Sequence, residues 1–177
     1  MICKEVCEMF KSKSQKNFSN IVFVIYFALL IWLILFKLNI NFSEMSFFRS
    51  VNIIPFYYDT EIGFRFHFKE VLYNVLIFIP LGVCIDIYKS DWSFFKKILP
   101  CLSISLLFET IQFVFALGAS DITDIITNTT GGIIGIILCF LFKKIFPQKH
   151  ITIINILGFI TEILAILLLE ILLIANS

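Results

Sequence analysis

Two short polar clusters hold the residue types that could do chemistry in this chain of 177 residues. Glu109 and Gln112 lie three positions apart, so a helix would present both side chains on one face. Asp121, Asp124 and Asn128 follow at spacings that also share one helical face. Together they offer three carboxylates and two amides, which could bind a cation through oxygen ligands or supply acid–base pairs. The same groups could also recognise sugar or amide groups without any reaction.

Both clusters also have structural interpretations. Glu109 and Gln112 could form a buried hydrogen bond between helices. Asp121 could cap a helix that has Asp124 in its first turn, but capping does not explain Asn128, about one turn deeper. The sequence shows no Ser/His/Asp order, phosphate loop or Cys/His metal spacing, and His67 is one of only two histidines. No cofactor or metal is therefore assigned, and enzymatic activity is left open.

The composition requires these residues to lie in a membrane. Hydrophobic residues make up 59% of the chain and charged residues 15%, with a mean hydropathy of +0.97. Soluble domains have roughly 45–50% apolar and about 25% charged residues. This excess excludes a soluble globular protein, a disordered chain and a disulfide scaffold. The net charge of +1 argues against a nucleic-acid partner.

Five segments approach or exceed about 20 apolar residues, the length that a helix needs to span a membrane. In lipid such segments form helices, because a helix satisfies the hydrogen bonds of its own backbone. The predicted spans are 21–40, 71–88, 98–117, 122–142 and 151–174. We therefore predict an all-α integral membrane protein, a bundle of five transmembrane helices. Residues 1–20 form a cytoplasmic segment, 21–40 the first helix, 51–143 a core with three helices, and 151–174 the fifth helix.

The distribution of positive charge predicts the orientation of these helices. Ten lysines lie on one side, in the N-terminus and the connections 89–97 and 143–150, against Arg49, Arg65 and Lys69 on the other. The N-terminus is therefore expected inside and the C-terminus outside, in a multi-pass protein of the bacterial plasma membrane. A tight turn at 118–121 would make spans three and four antiparallel, so that their polar clusters could converge on a cleft that opens outward.

Other segments of the sequence give weaker indications. Residues 63–69 alternate aromatic and basic residues, which suggests a half-buried strand or an interfacial segment that contacts lipid headgroups. Pro80 should kink span two. A GxxxG pattern from Gly131 to Gly135 is typical of a packing surface. Glu162 and Glu170 lie in span five, where they could pair with another helix or line a second polar surface.

Five blocks of this sequence together resemble the VanZ-like family of bacterial membrane proteins, over about residues 51–143. The blocks are 52–56 (NIIPF), 74–82 (NVLIFIPLG), 109–112 (ETIQ), 121–124 (DITD), and Asn128 with the glycine pair 131–132. The positions that match the family pattern are the expected ligand-binding residues: Asn52, Asn74, Glu109, Gln112, Asp121, Asp124 and Asn128.

The family takes its name from a member linked to low-level resistance to teicoplanin and related lipoglycopeptides. The resemblance therefore implies that an outward cleft binds an envelope precursor, a membrane lipid or a lipoglycopeptide, and so affects drug susceptibility. A first alternative is an intramembrane enzyme acting on an envelope lipid or glycan with Glu109, Asp121 and Asp124. A second is a small transporter that uses Glu109 as its proton carrier.

Overall fold

The computed structural model describes residues 2–36, 48–57 and 64–175. Within these ranges the chain forms five helices and two short strands. In chain order they are α1 (Ile2–Phe36), β1 (Phe48–Asn52), α2 (Phe64–Tyr88), α3 (Phe94–Val114), β2 (Leu117–Asp121), α4 (Ile122–Ile145) and α5 (His150–Ala175).

All five helices are long and apolar enough to cross a membrane, which confirms the predicted number of spans. The spanning parts are Gln15–Leu35, His67–Tyr88, Phe94–Val114, Ile122–Ile145 and His150–Ile171. Residues 37–40 of the first predicted span lie outside the described part of the chain. The second helix begins at Phe64, seven residues before the predicted start at Val71. The strand interpretation is therefore wrong for residues 64–69, which form the start of this helix because no helix breaker lies among them; residue 63 lies outside the described part of the chain.

Two strands form a small parallel sheet that the sequence did not predict. β1 pairs with β2 in a register that sets Phe48 opposite Leu117 and Asn52 opposite Asp121. The turn expected at 118–121 is thus a strand that leads into α4. Backbone N–H and C=O groups near a membrane need partners, and this pairing supplies them for the segment between α3 and α4.

The chain divides into two compact units, one made of Met1–Leu29 with Ile145–Ser177 and the other of Leu30–Lys144. In the first unit the amino-terminal part of α1 packs along α5. Asn155 Nδ2 donates to Ser19 Oγ at 2.6 Å, and both residues are buried. The rings of Phe18 and Phe159 lie 5.8 Å apart.

In the second unit, α2 and α4 approach each other closely at glycines. A Cβ atom on Gly82 would collide with the carbonyl oxygen of Gly132, and one on Gly131 would collide with that of Val75. This finding confirms the GxxxG pattern as a packing surface. Beside it, the buried rings of Phe78 and Phe108 meet edge to face with centroids 6.4 Å apart.

A buried ion pair joins α2 to the first turn of α3. Lys97 Nζ contacts Asp86 Oδ1 at 2.5 Å, and both residues are less than a tenth exposed. Lys97 was counted among the lysines of a loop, but the structure places it inside the helical unit, where its charge is paired.

Candidate functional site

An open groove lies where α2 and α4 begin, below the loop that follows β1. Its volume is about 160 Å³. The loop, the first turns of α2 and the start of α4 each contribute to its wall. The lining residues are Phe56, Tyr57, His67, Phe68, Glu70, Val71, Asp121, Thr123 and Asp124.

Asp121 is fixed at the start of α4 by hydrogen bonds to both carboxylate oxygens. The backbone N–H of Thr123 donates to its Oδ1 at 2.7 Å, and the side-chain amide of Asn52 donates to its Oδ2 at 2.9 Å. The first bond is that of a helix N-cap, as the sequence suggested. The second adds a link to β1, because Asn52 is the last residue of that strand. Asp121 thus reaches the groove in a fixed orientation.

Glu109 lies beneath this arrangement and is buried, with 4% of its surface exposed. Its Oε2 accepts hydrogen bonds from the hydroxyl of Ser120 at 3.0 Å and the backbone N–H of Asp121 at 2.9 Å. Glu109 is not among the groove-lining residues. Its carboxylate therefore holds the end of β2 against α3, and through that backbone it positions Asp121.

Asp124 lies one turn further along α4 and connects that helix to α2. The side-chain amide of Asn74 donates to Asp124 Oδ1 at 2.6 Å. A further hydrogen bond joins the loop after β1 to α4: the backbone N–H of Phe56 donates to the hydroxyl of Thr123 at 3.0 Å. These bonds hold the three walls of the groove together: the loop, α2 and α4.

Gln112 and Asn128 lie away from the groove, and each is only 1% exposed. Gln112 Nε2 donates to the carbonyl oxygen of Ile34 at 2.9 Å, and Asn128 Nδ2 donates to Ser105 Oγ at 3.0 Å. The carbonyl oxygens of both amides have no hydrogen-bond partner among the described residues. These amides connect α1 to α3 and α3 to α4.

The seven residues predicted from the sequence therefore occupy three positions. Asp121 and Asp124 line the groove, whereas Asn52, Asn74 and Glu109 hold those aspartates or their backbone in place. Gln112 and Asn128 form separate buried contacts between helices. The five polar side chains of spans three and four thus do not all meet in one cleft.

The sequence interpretation assigned no site role to Glu70, Tyr57, Phe68 or His67, which line the groove. His67 Nδ1 lies 3.6 Å from Glu70 Oε2, and both side chains face the groove. Their spacing of three residues is a helical signal. It was not recognised because the alternation in 63–69 favoured a strand or an interfacial segment over the start of a helix.

The groove combines three carboxylates and one imidazole with three aromatic rings. Carboxylates accept hydrogen bonds, so a ligand that offers hydroxyl or amine donors and an apolar part would match these walls. Among the described residues, no three His, Cys, Asp or Glu side chains come close enough together to hold a metal ion.

Fold and site together define a small helical membrane protein with a polar groove at one end of its helices. A model of the VanZ/LLP1 family matches residues 23–143, and this chain belongs to that family. Protein VanZ of Enterococcus faecium is 41% identical over 156 residues, which is 87% of this chain and 92% of that protein. No solved structure matches the chain. The family match begins inside α1, well before the start near residue 51 expected from the sequence blocks.

Proposed function

We propose that this protein acts on the bacterial cell envelope by binding an envelope precursor or a membrane lipid in the groove. Binding there would alter susceptibility to teicoplanin and related lipoglycopeptides, the context that family membership implies. The observation that carries the proposal is the groove itself, with Asp121 and Asp124 held in fixed positions on one wall. Fixed acceptors reduce the ordering cost of binding.

The surroundings of the groove favour an amphiphilic ligand. Phe56, Tyr57 and Phe68 are each more than half exposed, next to helices that present apolar side chains outward. A ligand at the membrane surface could place its polar headgroup against the carboxylates and its apolar part against these rings. This arrangement supports a lipid or lipid-linked precursor over a fully polar solute.

The charge distribution supports an outward-facing groove. Of the ten lysines counted on the opposite side, Lys97 is buried and paired, which leaves nine against three positive residues on the groove side. The positive-inside rule then supports a groove at the outer face of the plasma membrane.

The experiment is a susceptibility assay in a sensitive Gram-positive host. Wild type, Asp124→Asn and the double variant Asp121→Asn/Asp124→Asn are expressed, and growth thresholds for teicoplanin and vancomycin are measured. Wild type should raise the teicoplanin threshold and the double variant should not, because asparagine keeps the shape of the wall but removes the charged acceptors.

The matched control is Asp91→Asn, which changes an exposed aspartate in the turn before α3, at the other end of the helices. It should protect as well as wild type does, at equal abundance in the membrane. Equal protection by the double variant would contradict a role for the groove carboxylates. Absence of protection by wild type would contradict the link to teicoplanin.

One contact favours a second candidate, an intramembrane enzyme that acts on an envelope lipid or glycan. His67 and Glu70 lie 3.6 Å apart in the groove opposite Asp124, and an imidazole next to a carboxylate can serve as an acid–base pair. Lipid extracts of cells that express wild type or Glu70→Gln distinguish the two functions. A new lipid species that depends on Glu70 would indicate catalysis, whereas unchanged lipids with retained protection would indicate binding alone.

A further inference from the structure

The pair formed by α1 and α5 holds a polar strip that the groove does not use. Gln15 Nε2 donates to Thr152 Oγ1 at one end of the strip. One turn further, the buried Asn155 donates to Ser19, whose hydroxyl also donates to the carbonyl oxygen of Gln15 at 3.1 Å. These contacts show that the two helices run parallel in this unit.

Glu162 lies on the same face of α5, two turns beyond Asn155, at a distance of about 10 Å along the helix axis. It is near the middle of the spanning segment His150–Ile171 and only 6% exposed. Its Oε2 is fully buried and has no hydrogen-bond partner among the described residues. A carboxylate that is ionised in such a place would be costly, since neither water nor a counter-charge meets that oxygen.

Among the described residues of α1 and α5, no positively charged side chain lies level with Glu162. The register of contacts, Ser19 with Asn155 and Val22 with Gly158, places the buried Tyr26 level with Glu162. Residues 17–36 of α1 include no charged side chain. On α5 the other titratable groups are His150 and Glu170, three turns before and two turns after Glu162.

We propose that Glu162 is a proton-binding site within the membrane, whose carboxyl group takes up a proton from water and returns it. The site is independent of the groove and of the function proposed for it. The polar strip of Ser19 and Asn155 lies on the α1–α5 interface between Glu162 and the exposed pair Gln15 and Thr152. That end of the interface is the side from which a proton would enter.

Labelling with N,N′-dicyclohexylcarbodiimide tests this proposal on the full chain in liposomes. The reagent is apolar and reacts with protonated carboxyl groups: the acid proton moves to a carbodiimide nitrogen and the carboxylate oxygen bonds to the central carbon. Acyl transfer to nitrogen then gives a stable N-acylurea with no leaving group. Mass spectrometry of peptides locates the adduct in the wild-type chain, so the result does not depend on the folding of a variant.

We expect an adduct on Glu162 at neutral pH, where a carboxyl group in water is ionised and reacts poorly. Labelling should fall by about tenfold per pH unit once the group ionises. Glu162→Gln should remove this adduct, and the matched variant Glu170→Gln should retain it. An unlabelled Glu162 in a chain labelled elsewhere would overturn the proposal by indicating a paired carboxylate. Labelling that does not change with pH would overturn it by showing no exchange with water.

Discussion

At the scale of single residues, Glu109 shows how a membrane-embedded carboxylate can serve the site without lining it. Its Oε2 accepts hydrogen bonds from Ser120 and from the backbone N–H of Asp121. One carboxylate oxygen thus accepts two hydrogen bonds, and these bonds hold the junction between β2 and α4. Glu109 is therefore a positioning residue for Asp121, and a role as a mobile proton carrier fits these contacts poorly.

Glu109→Gln and Glu109→Ala should destabilise the protein to different extents. Glutamine keeps one oxygen acceptor and should cost about 1 kcal/mol, whereas alanine removes the side-chain acceptor of the part-buried Asp121 N–H and should cost about 2 kcal/mol. Thermal unfolding of the purified protein in detergent measures the difference. Equal destabilisation by the two variants would show that the hydrogen bonds of Glu109 are not what holds the junction.

At this scale the sequence predicted the helical positions of the polar residues better than it predicted how their side chains group. Spacing correctly placed Asp121 and Asp124 at the start of a helix, one turn apart. It could not reveal the rotation of α3 and α4 about their axes, and rotation decides that Asn128 faces Ser105 instead of the groove. Ser105 and Ser120 were missed because a single hydroxyl has no distinctive pattern in the sequence.

At the scale of elements, helix packing was predictable where small residues marked it, but strand pairing was not. The glycine pattern of α4 indicated a close approach, and the structure shows that approach to α2. By contrast, Asn52 of β1 and Asp121 of β2 are 69 residues apart in the sequence. Five-residue strands without clear alternation give no signal that would identify partners across such a separation.

Gly131→Ala tests the contact between α2 and α4. The added Cβ atom would meet the backbone carbonyl oxygen of Val75, which cannot move aside as a flexible side chain can. We expect a loss of about 2 kcal/mol or more in the free energy of unfolding. The neighbouring Thr130→Ala is the control, since Thr130 is exposed and should change stability by less than about 0.5 kcal/mol. Similar melting temperatures for both variants would contradict the close packing.

The ion pair between Asp86 and Lys97 predicts a non-additive effect. Lys97→Met leaves the buried Asp86 without its cation and should cost about 3–5 kcal/mol. Adding Asp86→Leu removes the unpaired charge, so the double variant should be more stable than Lys97→Met alone. Melting curves of the two single variants and the double variant measure this coupling. Additive losses would show that the two charges do not depend on each other.

At the scale of the whole molecule, the number of candidate spans and their orientation in the membrane rest on different properties of the sequence. The number of helices follows directly from hydropathy, because each apolar segment must form its own hydrogen-bonded helix in lipid. The orientation depends on a different property, the bias of lysines toward one side, which acts during insertion and leaves no mark on helix packing. It therefore needs a separate measurement in cells.

Cysteine labelling with a membrane-impermeant maleimide provides that measurement. In a background with the five native cysteines replaced, Ser50→Cys lies on exposed β1 beside the groove. Ser93→Cys is the matched position at the opposite end, exposed and without a capping hydrogen bond from its side chain. Besides the paired Lys97, nine lysines lie in the segments expected on the side of Ser93, against three positive residues expected on the side of Ser50, so intact cells should label Ser50→Cys alone. Both variants should react after permeabilisation. Labelling of Ser93→Cys alone in intact cells would contradict the expected orientation, because the groove would then face the cytoplasm and not the outer envelope precursors.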